Sequence, residues 1–96
     1  MPRKRPKTYQ EQRLSRIRMY GIDVPDYERM LEEQGGGCYI CGRKPDGKRA
    51  LDIDHDHSTG KVRGLLCSRH NRALGFFNDD IRLIVKLLEY LVRHRD

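Results

Sequence analysis

The stretch at residues 38–71, CYICGRKPDGKRALDIDHDHSTGKVRGLLCSRHN, decides the fold of this chain. It opens with Cys38 and Cys41 and closes with Cys67 and His70, and two residues separate the members of each pair. Structural zinc sites are commonly built from two such tight turns that face each other. The spacing therefore predicts a structural zinc site with four protein ligands and no open position for a substrate.

The cysteine content supports this interpretation. The chain has three cysteines, an odd number that cannot close into a disulfide set. The N-terminal sequence MPRKRPKTYQEQR is basic and polar, unlike a signal peptide, so we expect a reducing, cytoplasmic setting in which clustered thiols bind metal. The alternative is that Cys38 and Cys41 form a redox pair and that Cys67 is a buried thiol.

Size and charge narrow the class of protein. A chain of 96 residues, 36% hydrophobic and 35% charged, predicts one domain. Its hydrophobic core is expected to be too small for stability without disulfides, a bound metal or a partner subunit. Structural zinc can supply on the order of 10 kcal/mol of folding free energy.

The net charge of +6 favours DNA as a partner, although charge that only maintains solubility is an alternative. No apolar run approaches the roughly 18 residues of a membrane span, so we expect no membrane partner, and monomer or homodimer stays open.

The pattern of polar and apolar residues predicts an α+β domain over residues 8–96, preceded by a flexible basic arm at residues 1–7. Two helices are expected first, at 9–20 and from a cap at Asp23 to the glycines at 35–37. Two strands at 49–54 and 61–66 and a helix from Cys67 to Leu74 then follow.

The last helix has the clearest periodicity. Asp79 and Asp80 suit its start, and basic residues at 93–95 suit its end. Its apolar residues have the spacing of a buried stripe, and they are Ile81, Ile84, Val85, Leu88, Leu91 and Val92. We expect this helix to pack on the N-terminal helices, with a dimer seam as the alternative.

Between the two ligand pairs lies an acidic cluster with two imidazoles, Asp52-Ile-Asp54-His55-Asp56-His57. Carboxylates alone would repel DNA phosphates, whereas a divalent cation held by carboxylates attracts phosphate oxygens. The cluster therefore predicts metal-assisted phosphate chemistry. The alternative is an acidic turn whose aspartates cap backbone N–H groups and whose histidines are solvated.

Four motifs occur in order along the chain: Cys38-x2-Cys41, Asp54-His-Asp-His57, Gly60-Lys-Val-Arg-Gly-Leu-Leu-Cys67 and His70-Asn-Arg-Ala-Leu-Gly75. Together they resemble the phage recombination endonuclease VII family of HNH nucleases, over roughly residues 20–92. The resemblance implies a ββα-metal (His-Me) finger, in which two strands and a helix present one catalytic Mg2+ or Mn2+. It also implies a phage or bacterial origin, inside a host cell.

The resemblance also implies roles for single residues. By position, Asp54 and Asn71 match the ligands of the catalytic cation, and His55 matches the general base. The three cysteines match zinc ligands, whereas His70 stands where the family usually has a fourth cysteine. Candidates for supporting or phosphate contacts are His57, Asp56, Arg63 and Arg72.

We therefore expect a metal-dependent endonuclease that nicks or cuts duplex DNA and leaves 5′-phosphate and 3′-hydroxyl ends. The alternatives are a non-catalytic zinc-finger DNA-binding protein and a zinc finger that binds protein. One geometric condition applies to the catalytic hypothesis. On a regular strand Asp54 and His55 point to opposite faces, so both can serve one site only if the strand ends or bulges there.

Overall fold

The computed structural model describes residues 5–45 and 47–95 of the 96-residue chain. It has four helices and one two-stranded antiparallel sheet, so the predicted α+β class is confirmed. The elements in chain order are α1 Tyr9–Tyr20, α2 Val24–Glu33, β1 Asp52–His55, β2 Val62–Leu66, α3 Ser68–Phe76 and α4 Ile81–Arg93.

The two N-terminal helices lie where the sequence predicts them, and local polar groups set their ends. Thr8 caps α1 by accepting from the N–H of Glu11, and Gly21 ends α1 in the left-handed conformation with φ 69°. Asp23 caps α2 and forms a capping box with Asp26. These side chains satisfy N–H groups that the first helical turn leaves without partners.

The predicted basic arm is described only in part, since Arg3 and Lys4 lie outside the described residues. Arg5 forms an ion pair with Glu11 at 2.8 Å. Lys7 donates from Nζ to Ser15 Oγ at 2.7 Å. Residues 5–7 therefore run beside α1.

The hairpin of β1 and β2 carries the central sequence motif. Asp54 pairs with Gly64, but His55 pairs with Val62, so β2 has one extra residue, Arg63, at an irregularity in the register. β1 begins at Asp52 instead of residue 49, because residues 49–51 are not paired with β2. β2 begins at Val62, one residue later than predicted. Helix α3 ends at Phe76, two residues beyond the predicted end at Leu74, and so continues through Gly75.

A small core joins the hairpin to the N-terminal helices. Tyr27 on α2 and Leu65 on β2 are fully buried. The buried cluster around them consists of Ile17, Cys38, Leu51, Ile53 and Leu66. Because Cys38 belongs to this core, the first ligand pair is anchored to it.

Gln34 fastens α2 to the sheet with its side-chain amide. Its Oε1 accepts from the N–H of Leu65 at 2.9 Å, and its Nε2 donates to the carbonyl oxygen of Leu65 at 2.8 Å. The same Nε2 donates to Gly37 O at 2.8 Å. The amide thus pairs with β2 in the way that a neighbouring strand would, and a residue with a side chain at Gly64 would press on Gln34 Oε1 at 3.1 Å.

The expectation that α4 packs its apolar stripe on the N-terminal helices is wrong. Among the described residues α4 has no extended contact with α1 or α2, and Ile81 and Leu91 are 76% and 67% exposed. Asn78 and Asp79, both with positive φ, direct the chain into α4, and the core is closed without this helix. Within residues 5–45 and 47–95, no helix has the length and apolarity to cross a bilayer.

Candidate metal centre and catalytic cluster

The four predicted zinc ligands come together. One ligand atom from each of Cys38, Cys41, Cys67 and His70 lies within 4.8 Å of all the others. The Sγ atoms of Cys41 and Cys67 are 3.9 Å apart, and Cys67 Sγ lies 3.2 Å from His70 Nδ1. Tetrahedral zinc with Zn–S bonds of about 2.3 Å requires an S···S separation of about 3.8 Å. The donor set and its spacing therefore fit zinc, with histidine as the fourth ligand.

Backbone hydrogen bonds shape the first ligand pair. The N–H of Gly42 donates to Cys38 O at 2.8 Å, the N–H of Cys38 donates to Arg43 O at 3.0 Å, and Tyr39 N–H donates to Leu65 O at 3.1 Å. These contacts close the turn and attach it to β2. A Cβ at residue 37 would lie 2.3 Å from Gly42 O, so the turn can close only with glycine there.

The thiols are electrostatically unequal. Burial raises the pKa of Cys38, but N–H groups of Cys41, Cys67 and Ile40 outweigh burial and lower this pKa to about 6. Burial raises the pKa of Cys67. The N–H of His70 lowers this pKa, but the thiols of Cys38 and Cys41 raise it further, so that the net shift is upward. A divalent cation would relieve the crowding of thiolates that raises the pKa of Cys67.

Asp54 is the one charged residue buried within the described part of the chain, at 8% exposure. Arg63 binds it in a bidentate manner, with Nε to Oδ2 at 2.7 Å and NH2 to Oδ1 at 3.0 Å. The hydrogen bond to Asp54, with a further one to Asp79, raises the pKa of Arg63 above its ordinary value. Asp54 and Arg63 line a cleft of about 410 Å³ together with Tyr39.

His55 lies half-buried between two rings. Its imidazole centroid is 5.1 Å from the ring of Tyr20, the last residue of α1, and 4.8 Å from the ring of His57. Because Tyr20 packs against His55, the end of α1 helps to fix the imidazole. His57 itself is exposed to solvent.

Asn71 on α3 contacts Asp52 on β1. Its Nδ2 donates to Asp52 Oδ2 at 3.3 Å. Asp52 also forms ion pairs with Arg49 at 3.2 Å and with Arg16 at 3.6 Å. Because Nδ2 is used in this contact, the Oδ1 of Asn71 stays available as a hard oxygen ligand.

A model of the family described as recombination endonuclease VII matches residues 12–93. The chain belongs to this family. It is also 47% identical over 74 residues to the Gene 59 protein of Mycobacterium phage L5, and 45% identical over 73 residues to the Gene 59 protein of Mycobacterium phage D29. The matched segments cover 76% and 75% of this chain but 45% and 44% of the relatives. The chain thus spans less than half the length of the phage relatives, and no solved structure matches it.

The condition set for the adjacent Asp54 and His55 is that the strand ends or bulges between or beside them. β1 ends at His55, and the register irregularity falls opposite these two residues, with the extra residue Arg63 on β2. Asn71 lies on the helix that follows the hairpin, but its contact is with Asp52 rather than with Asp54. The three residues with expected catalytic roles are thus carried by one ββα unit.

The other candidate residues make contacts within the protein. Asp56 Oδ1 accepts from the N–H groups of Ser58 and Thr59 at 2.8 and 3.0 Å, and these bonds lower the pKa of Asp56. Arg72 is exposed and donates from Nε to Ser68 O at 3.3 Å. Asp56 therefore orders the turn between the strands, as the capping alternative for the acidic cluster describes.

Sequence reasoning did not predict the contacts that Tyr20, Asp52 and Asp79 make with His55, Asn71 and Arg63 respectively. Asp52 had one signal, because it lies two residues before Asp54 and so on the same face of β1. No sequence signal pointed to the contacts of Tyr20 and Asp79, since these residues come from other parts of the fold.

Proposed function

We propose that this member of the endonuclease VII family is an HNH-type DNA endonuclease that hydrolyses phosphodiester bonds with a divalent metal. The ββα unit that carries Asp54, His55 and Asn71 is the observation on which the proposal depends. The net charge of +6 supports a polyanionic substrate. We propose duplex DNA as that substrate, nicked or cut to leave 5′-phosphate and 3′-hydroxyl ends.

His55 is the general base in this proposal. Tyr20 packs against one side of its ring. Because His55 is only half-buried, water can still reach the imidazole. Histidine accepts a proton near neutral pH. His55 takes the proton of the water that attacks phosphorus, and the packing of Tyr20 against the ring keeps it oriented.

Asp54 and Asn71 are the proposed ligands of the catalytic cation, and their carboxylate and amide oxygens are of the type that Mg2+ and Mn2+ prefer. A cation held by these residues would supply stabilisation of the negative charge on phosphate oxygens during hydrolysis. Arg63 holds the Asp54 carboxylate in place when no cation competes for it. Zinc at the Cys3His site has a structural role only, because four protein ligands leave no position for substrate.

The test uses supercoiled plasmid and protein of measured zinc content, with Mg2+ or Mn2+ added or omitted. We expect nicked or linear DNA only with the added cation. DNA ligase should reseal the nicks, because it requires 5′-phosphate and 3′-hydroxyl ends. His55→Ala should slow cutting at least about 100-fold, as expected for loss of a general base, with zinc content and DNA affinity unchanged.

His94→Ala is the matched control, since His94 lies at the exposed end of α4 and should leave cutting unchanged. Cutting that survives His55→Ala, or that needs no divalent cation, contradicts the mechanism. DNA that is bound but never cut supports the non-catalytic zinc-finger alternative.

A further inference from the structure

A basic surface lies away from the cleft that holds Asp54. A groove of about 490 Å³ runs between the segment that enters β1 and the first turn of α3. Among the residues that the structure describes, none that lines the groove is acidic, and four are cationic: Arg43, Lys44, Arg49 and Arg69. This basic groove shares no lining residue with the Asp54 cleft.

Most of these cations have no acidic partner in the part of the chain that the structure describes. Arg49 pairs with Asp52, whose carboxylate is already shared with Arg16. Arg43, Lys44 and Arg69 form no ion pair with any residue in 5–45 or 47–95. Like charges that converge in one groove raise its positive potential and attract an anion.

The walls of the groove are held in place. Gln12 donates from Nε2 to Lys48 O at 2.8 Å and accepts from the N–H of Ala50 at 2.9 Å. Arg16 donates to Ala50 O at 2.6 Å. On the other wall, the first turn of α3 has no acidic residue, so the positive end of its helix dipole adds to the field of the cations. The groove is therefore already formed before an anion binds.

We propose that the basic groove binds the phosphate backbone of duplex DNA outside the Asp54 cleft. The inference deepens the proposed function, on which it depends for the identity of the polyanion. Arginine and lysine recognise phosphate oxygens by charge and hydrogen bonds, without reading bases. The groove thus fixes where the duplex lies and adds affinity that is independent of DNA sequence.

A rival role exists for two of these arginines. Arg43 and Arg69 also line a recess beside Cys41, Cys67 and His70. Three thiolates and one Zn2+ leave a net negative charge, which the arginines would offset. Loss of the arginines would then release zinc instead of weakening DNA binding alone.

The test compares two triple variants of the full chain. Arg43→Gln/Lys44→Gln/Arg69→Gln removes three of the four cations of the groove. Arg82→Gln/Lys86→Gln/Arg93→Gln removes three exposed cations of α4 and changes the net charge equally. Fluorescence anisotropy with a labelled 20-base-pair duplex, without divalent cation, gives affinity between 50 and 300 mM KCl.

We expect the groove variant to bind about 10- to 100-fold more weakly at 100 mM KCl, with zinc content unchanged. Its slope of log affinity against log salt should shrink by about 0.9 for each phosphate that the variant no longer neutralises. The α4 variant should bind less than about 3-fold more weakly. Amide resonances of Ser68 and Arg69 should shift when the wild-type protein is titrated with the duplex.

Equal reductions of affinity in both triple variants would show that total charge alone matters, and zinc release from the groove variant would favour the rival role. Either result overturns the inference. So does saturable binding of inorganic phosphate at constant ionic strength that the groove variant loses while its DNA affinity stays unchanged. Groove-dependent binding without plasmid cutting contradicts the proposed function alone, whereas cutting with groove-independent binding contradicts the groove alone.

Discussion

Arg63 holds both carboxylate oxygens of Asp54, at 2.7 and 3.0 Å, and reaches Asp79 at 3.3 Å with the same guanidinium. Arg63 is the extra residue of β2 at the irregularity opposite Asp54 and His55. A buried carboxylate requires a partner, and Arg63 fills that role in the protein without a cation. A catalytic cation on Asp54 would compete with Arg63 for the same oxygens.

Arg63→Gln should therefore lower stability and increase the response to Mn2+. Without added cation, we expect the free energy of unfolding to fall by about 1–2 kcal/mol, as for removal of a partly exposed partner from a buried carboxylate. Mn2+ should raise the urea midpoint more in this variant than in the wild-type protein. Arg72→Gln is the control and should match the wild-type protein in both measurements. An Arg63→Gln protein that does not respond to Mn2+ would argue against Asp54 as a cation ligand.

Gln34→Ala tests the amide that joins α2 to β2. The substitution leaves the N–H and C=O of Leu65 without their side-chain partners, and Leu65 is fully buried. We expect the free energy of unfolding to fall by about 2–3 kcal/mol, from urea denaturation of zinc-loaded protein. Gln10→Ala on exposed α1 surface should change it by less than about 0.5 kcal/mol. Similar values for the two variants would show that the Gln34 amide contributes little.

The Cys38 thiol should make stability depend on pH. Its pKa is lowered from 9 to about 6 in the folded protein, so between these values the unfolded chain binds a proton that the folded chain does not. Stability is therefore complete above about pH 9 and falls as the pH drops through 6. Zinc favours the same deprotonated thiol, so acidification also releases zinc.

We expect the urea midpoint to decrease already between pH 8.5 and 7.0, and further at pH 5.5, with zinc release followed by a chromogenic chelator. The His55→Gln/His57→Gln variant controls for these two imidazoles and should give a parallel curve. A midpoint that is constant from pH 8.5 to 7.0 would contradict the assignment of the effect to Cys38.

Substitutions in α4 test whether its apolar stripe lies outside the core. Leu88 and Leu91 are 61% and 67% exposed, so Leu88→Glu/Leu91→Glu should change the free energy of unfolding by less than about 1 kcal/mol. Leu65→Ala, at a fully buried position, should cost about 2–5 kcal/mol. Urea denaturation with equal zinc loading gives both values. A large decrease in the α4 variant would show that the stripe is covered in solution.

Local patterns predicted most of the secondary structure and the metal centre. The cap at Asp23, the stop at Gly21 and the two ligand pairs act over a few residues, so the sequence displays them directly. The ββα order and the fourth ligand His70 were also predictable. The first residue of β1 was harder to predict, because strand length depends on pairing with β2. The last residue of α3 was also harder to predict, because Gly75 does not by itself end a helix.

Contacts between distant elements were decided by the tertiary structure. Periodicity showed that α4 has an apolar face, but it cannot show whether another element covers that face. The ion pair of Asp54 with Arg63 was likewise not predictable from the sequence. Arg63 is opposite Asp54 and His55 because β2 contains one extra residue there. The sequence determined which side chains form the Cys3His cluster and which cap helices, because these arrangements depend on near neighbours. The tertiary structure determined what surrounds Asp54, His55 and Asn71, because strand register and packing bring their partners from other parts of the chain.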